Sequence, residues 1–376
     1  MAQNRNLFRL TRFILLKMPG LFRFFAQFRS PQKRLLIIKT DAIGDYILFR
    51  NFIEVVNASD EHKEYRIDLL ANELCRDIVL NYDDPFIGQS FFIKPDALYH
   101  KPLKTLKIGW QLFMQNYEIV LQPTYARTLI NDGMAGMAAA NQLFGFDGDT
   151  ERINPKYKIK TDRFYSEKFV LPESLLFEFD RTRFFFETLL KRVVELYGPS
   201  IQFNQTEAKG IVIFPGAGVF KRSWEADKFV ELIQLIRQQT DKPVYLVGGP
   251  SEISIGNHIG QQLSEGAVVN LINKTSLPQL IDLIGNADLI VSNETSAIHI
   301  AAATKTQAVC ILGGGHFGRF APYPEYMENK PICVYHKMEC FNCNWNCIYI
   351  TREDEPYPCI GHVSLDAVWQ EVKSLL

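Results

Sequence analysis

The first forty residues contain no aspartate and no glutamate, yet nine lysines and arginines fall among them. All 42 acidic residues therefore lie beyond residue 40, and the net charge of −1 conceals a basic arm on an acidic body. No run approaches the roughly 18 uninterrupted apolar residues of a membrane-spanning helix, which argues against an integral helical membrane chain. A secretory signal is also missing: the N-terminal apolar runs are short, Arg and Lys interrupt them, and no small-residue cleavage site follows. The expectation is a cytosolic chain whose seven cysteines are thiols or metal ligands rather than disulfides. There is no short internal repeat and no low-complexity tract. A Walker lysine loop is absent, and neither half carries the dinucleotide fingerprint after its first strand, which argues against an ATPase and an NAD enzyme. Nucleic acid is not an expected partner.

What is present is a chain of 376 residues, 47% hydrophobic and 22% charged, enough for two domains with real cores. Residues 4–29 place Leu7, Leu10 and Ile14, and Phe8 with Leu15, at helical spacing. Pro19-Gly20 predicts a break into two short helices. The density of Phe beside Arg and Lys suits a helix lying in an anionic membrane interface. The alternative is a helix packed on the protein's own core.

From residue 33 strands and helices alternate. Lys33–Lys39 reads as a buried strand. It runs into Thr40-Asp41-Ala42-Ile43-Gly44-Asp45 and a helix over 46–57. Gly44 suits a tight turn, and Asp45 falls in the first helical turn, where a base could stand at the mouth of an open α/β sheet. Further strands are read at 65–70, 89–93 and 117–121, with helices at 73–80, 103–115 and 128–140. A polar, turn-rich stretch spans 147–172. A long amphipathic helix over 179–197 ends at Gly198-Pro199, which marks a domain boundary. A second series starts at Gly210, with strands at 211–214, 244–247, 268–270, 287–291 and 307–312. Its helices are read at 226–239, 253–263, 277–285 and 297–303. Two such series imply two parallel sheets with a cleft between them. The expected divisions are an arm over 1–30, domains over 31–200 and 201–363, and a C-terminal helix over 364–376.

Several loops at strand ends of the second series suit an anion. Pro215-Gly216-Ala217-Gly218 allows close backbone approach. Lys221 and Arg222 put positive charge beside it. Ser292-Asn293-Glu294-Thr295-Ser296 turns a strand into a small-residue helix bearing His299, and aims free N–H groups at one point. Gly313-Gly314-Gly315, with His316 and Arg319, closes the ring. These loops together point to a nucleotide diphosphate.

Four blocks then carry a resemblance: 35–53, 211–233, 244–252 and 272–303, in order. The chain resembles glycosyltransferase family 9, the ADP-heptose:lipopolysaccharide heptosyltransferases. The resemblance implies a GT-B fold, an α/β arrangement of two Rossmann-like domains facing across a cleft. It implies inverting transfer of a sugar, without a metal or other catalytic cofactor, from a nucleotide diphosphate (ADP-heptose favoured) to a lipid-linked glycan. The work would be done as a peripheral protein on the cytoplasmic face of the inner membrane. By motif, Asp45 falls on the family's catalytic aspartate, within the loop of Thr40, Asp41 and Gly44. Lys221 or Arg222, ahead of Trp224, falls on the diphosphate contact, with the spacing favouring Arg222. Gly216, Glu294, Thr295, Ser296, His299 and Gly314 fall around the donor. Glu294 stands where the family carries Asp, and Ser296-Ala297 where it carries Gly-Pro. His299 reads equally as a ligand contact or as a helix histidine bonded to a neighbouring carbonyl. Two other readings stay open: a GT-B sugar-nucleotide epimerase, and a non-catalytic nucleotide- or membrane-binding member.

Within 333–359, Cys340-x2-Cys343-x3-Cys347-x11-Cys359 fits a structural zinc site or an iron–sulfur cluster, closed and remote from the transfer chemistry, although the spacing matches neither standard zinc modules nor ferredoxin runs well. The alternative is reduced cysteines in an irregular loop, or a redox-labile pair.

Overall fold

In the computed structural model, residues 5–207 and 209–376 are described. The chain forms two compact units, residues 1–175 with 179–195, and residues 176–178 with 196–376. Each holds one six-stranded, all-parallel sheet.

In the first unit the strands are β1 (Gln32–Lys39), β2 (Arg66–Asn72), β3 (Gln89–Ile93), β4 (Tyr117–Gln122), β5 (Gln142–Phe146) and β6 (Glu167–Phe169), in the order β3-β2-β1-β4-β5-β6. In the second they are β7 (Ile211–Phe214), β8 (Val244–Leu246), β9 (Val269–Asn270), β10 (Leu289–Asn293), β11 (Ala308–Ile311) and β12 (Ile332–Val334), in the order β12-β11-β10-β7-β8-β9. Both orders reverse direction once, between β1 and β4 and between β7 and β10. Open α/β sheets bind ligands outside the strand C-termini at such a switch point. Leu35–Ile38 and Ile211–Ile213 are wholly buried, as strands covered on both faces must be.

The N-terminal segment departs from expectation. Arg5–Ala26 is one helix of 22 residues with Pro19 inside it. Its inner stripe, Thr11, Ile14, Leu15, Pro19 and Phe22, is buried. It lies against the helix Leu129–Ala138, where a Cβ on Gly133 would stand 2.4 Å from Leu15 and one on Gly136 would stand 2.9 Å from Pro19. Burying Ile14, Leu15 and Phe22 contributes about 1.5–3 kcal/mol each. That outweighs an interior proline's cost of about 3 kcal/mol, so the helix continues through Pro19. The helix is therefore built into the first unit.

Other differences are local. β5, β6, β12 and the helix Pro155–Thr161 were not anticipated. The helix expected over 46–57 is two, Ile43–Phe49 and Asn51–Asn57, joined at Arg50, which pairs with buried Asp83 at 2.6 Å. The helix expected to run to 197 stops at Leu190, where Lys191 takes a left-handed φ of 51°. The C-terminal helix Leu365–Leu375 buries Val368 and Val372 in the second unit's core. No helix among the described residues is long and apolar enough to cross a membrane.

Candidate functional site

Each switch point carries a group of polar residues. In the first unit, β1 ends at Lys39, and Thr40 and Asp41 follow it. The Thr40 hydroxyl donates to Asn131 Oδ1 (2.6 Å), and its carbonyl accepts from Asn72 Nδ2 (3.1 Å). Asp41 accepts from Thr124 Oγ1 at 2.7 Å and forms an ion pair with Lys39 Nζ at 3.0 Å, with Arg152 at 3.6 Å. Burial alone would raise the Asp41 pKa, but the Lys39 ammonium, the Thr124 hydroxyl and Arg152 hold it below its ordinary value. Asp41 is thus a fixed, ionised anchor. Gly44 does not make a turn of its own. It lies with Asp45 in the first turn of the helix Ile43–Phe49. Half-buried Asp45 lines a cavity of about 430 Å³ together with Thr40, Asp41, Asn72, Tyr99, Asn131 and Arg152. The cavity offers a carboxylate beside amides, a hydroxyl and a guanidinium, a lining that suits a polyhydroxylated group.

In the second unit, β7 leads into Pro215-Gly216-Ala217-Gly218, where Gly218 takes a left-handed φ of 68°. The last residue of β10, Asn293, holds this loop down. Its Nδ2 donates to the carbonyls of Pro215 (2.7 Å) and Gly216 (3.1 Å), and its Oδ1 accepts from the Trp224 N–H (3.0 Å). The sequence places Asn293 only in the strand-to-helix turn, and nothing local marks this second role. Glu252 was also missed. It accepts from the Gly249 N–H at 2.7 Å and lies so close under Gly216 that a Cβ there would stand 2.2 Å away. The loops enclose a cavity of about 330 Å³ lined by Gly216–Phe220, Trp224, Glu252, Ile255 and His258. It has the size and mixed lining expected of a nucleoside site.

The strand-to-helix corner after β10 adds the charge. Thr295 caps the helix Ser296–Thr304 by accepting from the Ala297 N–H (3.3 Å), and its hydroxyl lies 3.2 Å from Ser292 Oγ. Glu294 is half-buried with its Oε2 enclosed. Burial pushes its pKa up to about 8, against the pull of Arg222. Burial also lowers the Arg222 pKa, while Tyr357 and Glu294 oppose that. Arg222 Nε and Glu294 Oε2 are buried without a hydrogen-bond partner among the described residues. A buried polar atom left unpaired is costly, and a diphosphate oxygen and a sugar hydroxyl would satisfy both. Lys221 is otherwise engaged, donating to Thr351 Oγ1 at 2.8 Å. Of the two basic residues, Arg222 is the one aimed at the corner.

Two expected donor contacts are occupied by the protein itself. His299 is buried and bonded through Nδ1 to the Tyr323 hydroxyl at 2.8 Å, not to a carbonyl, and burial lowers its pKa to about 4. It is neutral. Gly314 is covered by Phe341, which a Cβ would meet at 2.3 Å. His316 Nδ1 accepts from Trp345 Nε1 at 3.3 Å, and Arg319 pairs with Glu178 at 3.2 Å. The glycine run after β11 therefore closes against chain, not against open space.

A model of glycosyltransferase family 9 (heptosyltransferase) matches residues 110–345. The chain belongs to this family. It is 29% identical over 166 residues to lipooligosaccharide heptosyltransferase 2 of Campylobacter jejuni (43% of this chain, 49% of that one). It is 31% identical over 130 residues to lipopolysaccharide heptosyltransferase 3 of Escherichia coli K12 (34% and 38%). The aligned region spans about half or less of these curated relatives. In fold it is similar to E. coli ADP-heptose lps heptosyltransferase II, with a TM-score of 0.68, 16% identity and coverage of 91% of this chain and 98% of that one. The two Rossmann-like units are the α/β GT-B arrangement of family 9.

The cysteine segment, expected to stand apart from the transfer chemistry, packs instead on the glycine run after β11 and on Arg222. Phe341 and Trp345 cover Gly313–Gly315, and the amides of Asn342 and Asn344 donate to Gly314 (2.7 Å) and Gly315 (2.9 Å). Asn342, Asn344 and Trp345 all take left-handed φ, 65°, 55° and 60°. Trp345 lies under Arg222, and the Tyr357 amide donates to the Lys221 carbonyl at 2.8 Å. The four thiols are free. Burial raises the Cys359 pKa, and Cys340, Cys343 and Cys347 raise it further, so the four are neighbours. Among the described residues no group of three His, Cys, Asp or Glu is arranged to hold a metal ion. The thiols gather without forming a closed coordination shell.

Proposed function

We propose that the chain is an inverting, metal-independent glycosyltransferase. It would move a sugar, heptose favoured, from a nucleotide diphosphate, ADP favoured, to a hydroxyl of a lipid-linked surface glycan such as lipopolysaccharide core. It would act at the cytoplasmic face of the inner membrane, with a structural zinc or iron–sulfur site in the cysteine loop. The observation that carries the reading is the pair Arg222 and Glu294 at the second switch point, each with a buried polar atom that has no hydrogen-bond partner among the described residues. Heptose is favoured because the curated relatives are heptosyltransferases.

The chemistry needs two things. An acceptor hydroxyl must lose its proton as its oxygen bonds to the anomeric carbon, and Asp45 takes that proton as general base. The bond from the anomeric carbon to the diphosphate breaks on the opposite face, so the configuration inverts and the electron pair leaves on the diphosphate. Arg222 and the N–H groups at Thr295-Ser296 meet that charge.

Thermal stabilisation by a panel of nucleotide diphosphates and their sugars tests the donor half. A ligand at a hundred times its dissociation constant stabilises by about 2.7 kcal/mol, and ADP compounds should do so selectively. Selectivity for UDP, GDP or CDP would discard heptose and keep the mechanism. No stabilisation by any would sink the enzyme reading. Asp45→Asn should keep the donor-induced shift and lose transfer by about 10²–10⁴-fold, and undiminished transfer would remove Asp45 from the role.

A further inference from the structure

The N-terminal helix has two apolar stripes, and packing uses one. The outer stripe, Leu10, Phe13, Leu21 and Phe24, continues to Phe28 just past the helix end and is exposed throughout, with Phe28 at 72%. Phe24 sits edge-on to Phe25 and Phe28 at 5.5 and 5.6 Å, an aromatic cluster on open surface. Lys17 interrupts the stripe at its centre.

Neighbouring helices extend this face. Pro102–Met114 packs beside the N-terminal helix, with Phe22 against Trp110 at 5.9 Å, and exposes Leu103, Trp110 and Met114. Pro155–Thr161 is joined to it by an Arg12–Tyr157 hydrogen bond of 2.5 Å, and exposes Ile159. None of the three helices contains an acidic residue, although they come from distant parts of an acidic chain. Exposed Arg9, Lys17, Arg23, Lys104, Lys107 and Lys160 stand among the apolar groups. Beside the N-terminal helix lies a mainly apolar cavity of about 220 Å³, lined by Pro19, Ala139, Ala140 and Phe164 together with Arg23 and Arg163. The edge of the face reaches the Asp45 cavity: Phe8 lies 5.7 Å from Tyr99, and Tyr99 lines that cavity.

We infer that these three helices form one docking surface for an anionic phospholipid bilayer, with the Asp45 cavity at its edge so that a lipid-linked acceptor is met at the membrane. The charge pattern decides the occupant. Exposed aromatics suit an interface, basic side chains suit anionic headgroups, and the absence of acid removes the repulsion a bilayer would meet. The inference rests on the membrane-surface part of the proposed function and widens it from one segment to three helices. Deleting residues 1–30 would be a poor test, because it strips the cover from Gly133 and Gly136.

The experiment uses the full chain with Phe24→Ser, Phe28→Ser and Trp110→Ser combined, and vesicles of phosphatidylethanolamine and phosphatidylglycerol in equal parts. Wild type should co-sediment at low salt and be released as salt rises. The triple variant should bind at least about tenfold more weakly, with its ADP-induced thermal shift unchanged. Wild-type binding that is equal on phosphatidylcholine alone would overturn the charge argument. Undiminished binding by the variant would overturn the surface. A wild-type dimer that the variant abolishes, without lipid binding by either, would make the face a self-association site and overturn the inference. Because ADP response is read separately, each of these failures leaves the transferase reading untouched.

Discussion

The guanidinium of Arg222 lies over the indole of Trp345, 4.5 Å from the ring centroid. The two residues belong to opposite ends of the second unit's sequence, one after its first strand and one in the cysteine loop. Trp345 also fills the space over Gly313 and Gly315, so its ring is fixed from both sides. An arginine held this way keeps its planar donors oriented for a diphosphate and loses less freedom on binding. Removing the ring should therefore cost binding without removing the charge. Trp345→Ala is expected to weaken ADP binding about 5- to 10-fold, in line with a partly desolvated cation–π contact of about 1 kcal/mol. Trp345→Phe should recover part of it. Isothermal titration decides the matter, and equal affinity in the alanine variant would show that Arg222 needs no such support.

Glu294 makes the donor corner sensitive to pH. Its pKa is raised to about 8 from an ordinary 4.5, chiefly by burial. Below about pH 8 the folded carboxyl is neutral; above it a carboxylate stands beside Arg222 and would repel an anionic ligand held there. ADP affinity should therefore fall as pH rises from 7 to 9, and Glu294→Gln should flatten the profile. For stability the raised pKa works in one direction. The unfolded chain ionises near 4.5 while the folded one resists, so this contribution is whole below that pH and is lost on the way up to about 8. Glu294→Gln should lose that slope and melt higher than wild type near pH 8. A wild-type affinity that does not change from pH 7 to 9 would count against the assignment.

What could be read from the sequence, and what could not, follows from how local each signal is. Ile211–Phe214 and Leu289–Ile290 announce buried parallel strands because helices cover both faces of such a sheet. Asp45 and Arg222 stood out because small, strand-end motifs surround them. β5 was lost because Gln142–Phe146 is short and carries a glycine against Tyr165. Asn293 and Glu252 are invisible for a different reason. Their side chains serve backbone groups of other loops, and no local pattern records a partner that far along the chain. Pro19 misled because the proline rule is local, whereas the burial that overrides it depends on two glycines more than a hundred residues away.

Gly133 and Gly20 give a stability prediction with opposite signs. A side chain at Gly133 meets Leu15, whereas Gly20 has nothing within 4 Å of a built Cβ. Gly133→Leu should force the N-terminal helix off its seat, costing about 1–3 kcal/mol. Tryptic cleavage within residues 5–29 should then accelerate. Gly20→Ala fills open space in a helix and should stabilise by about 0.5–1 kcal/mol. Thermal melts read both, and a Gly133→Leu protein as stable as wild type would mean that the helix does not depend on this packing.

The cysteine loop yields the last test. Its thiols are neighbours, and its backbone is set by three left-handed residues at 342, 344 and 345. Since no three ligands among the described residues are arranged around a common point, an ion would have to draw Cys340, Cys343 and Cys347 in toward buried Cys359. Protein purified without oxygen is expected to carry about one structural zinc, or an iron–sulfur cluster, per chain, and Cys340→Ser with Cys343→Ser should lose it. Because the same loop carries Trp345, the loss should also weaken ADP binding, by no more than Trp345→Ala does. A wild-type protein free of zinc and iron would dispose of the metal while leaving the packing role of the loop to be read from the tryptophan variant. Metal in the wild type with ADP binding unchanged in the serine variant would instead confine the site to the loop and separate it from Arg222.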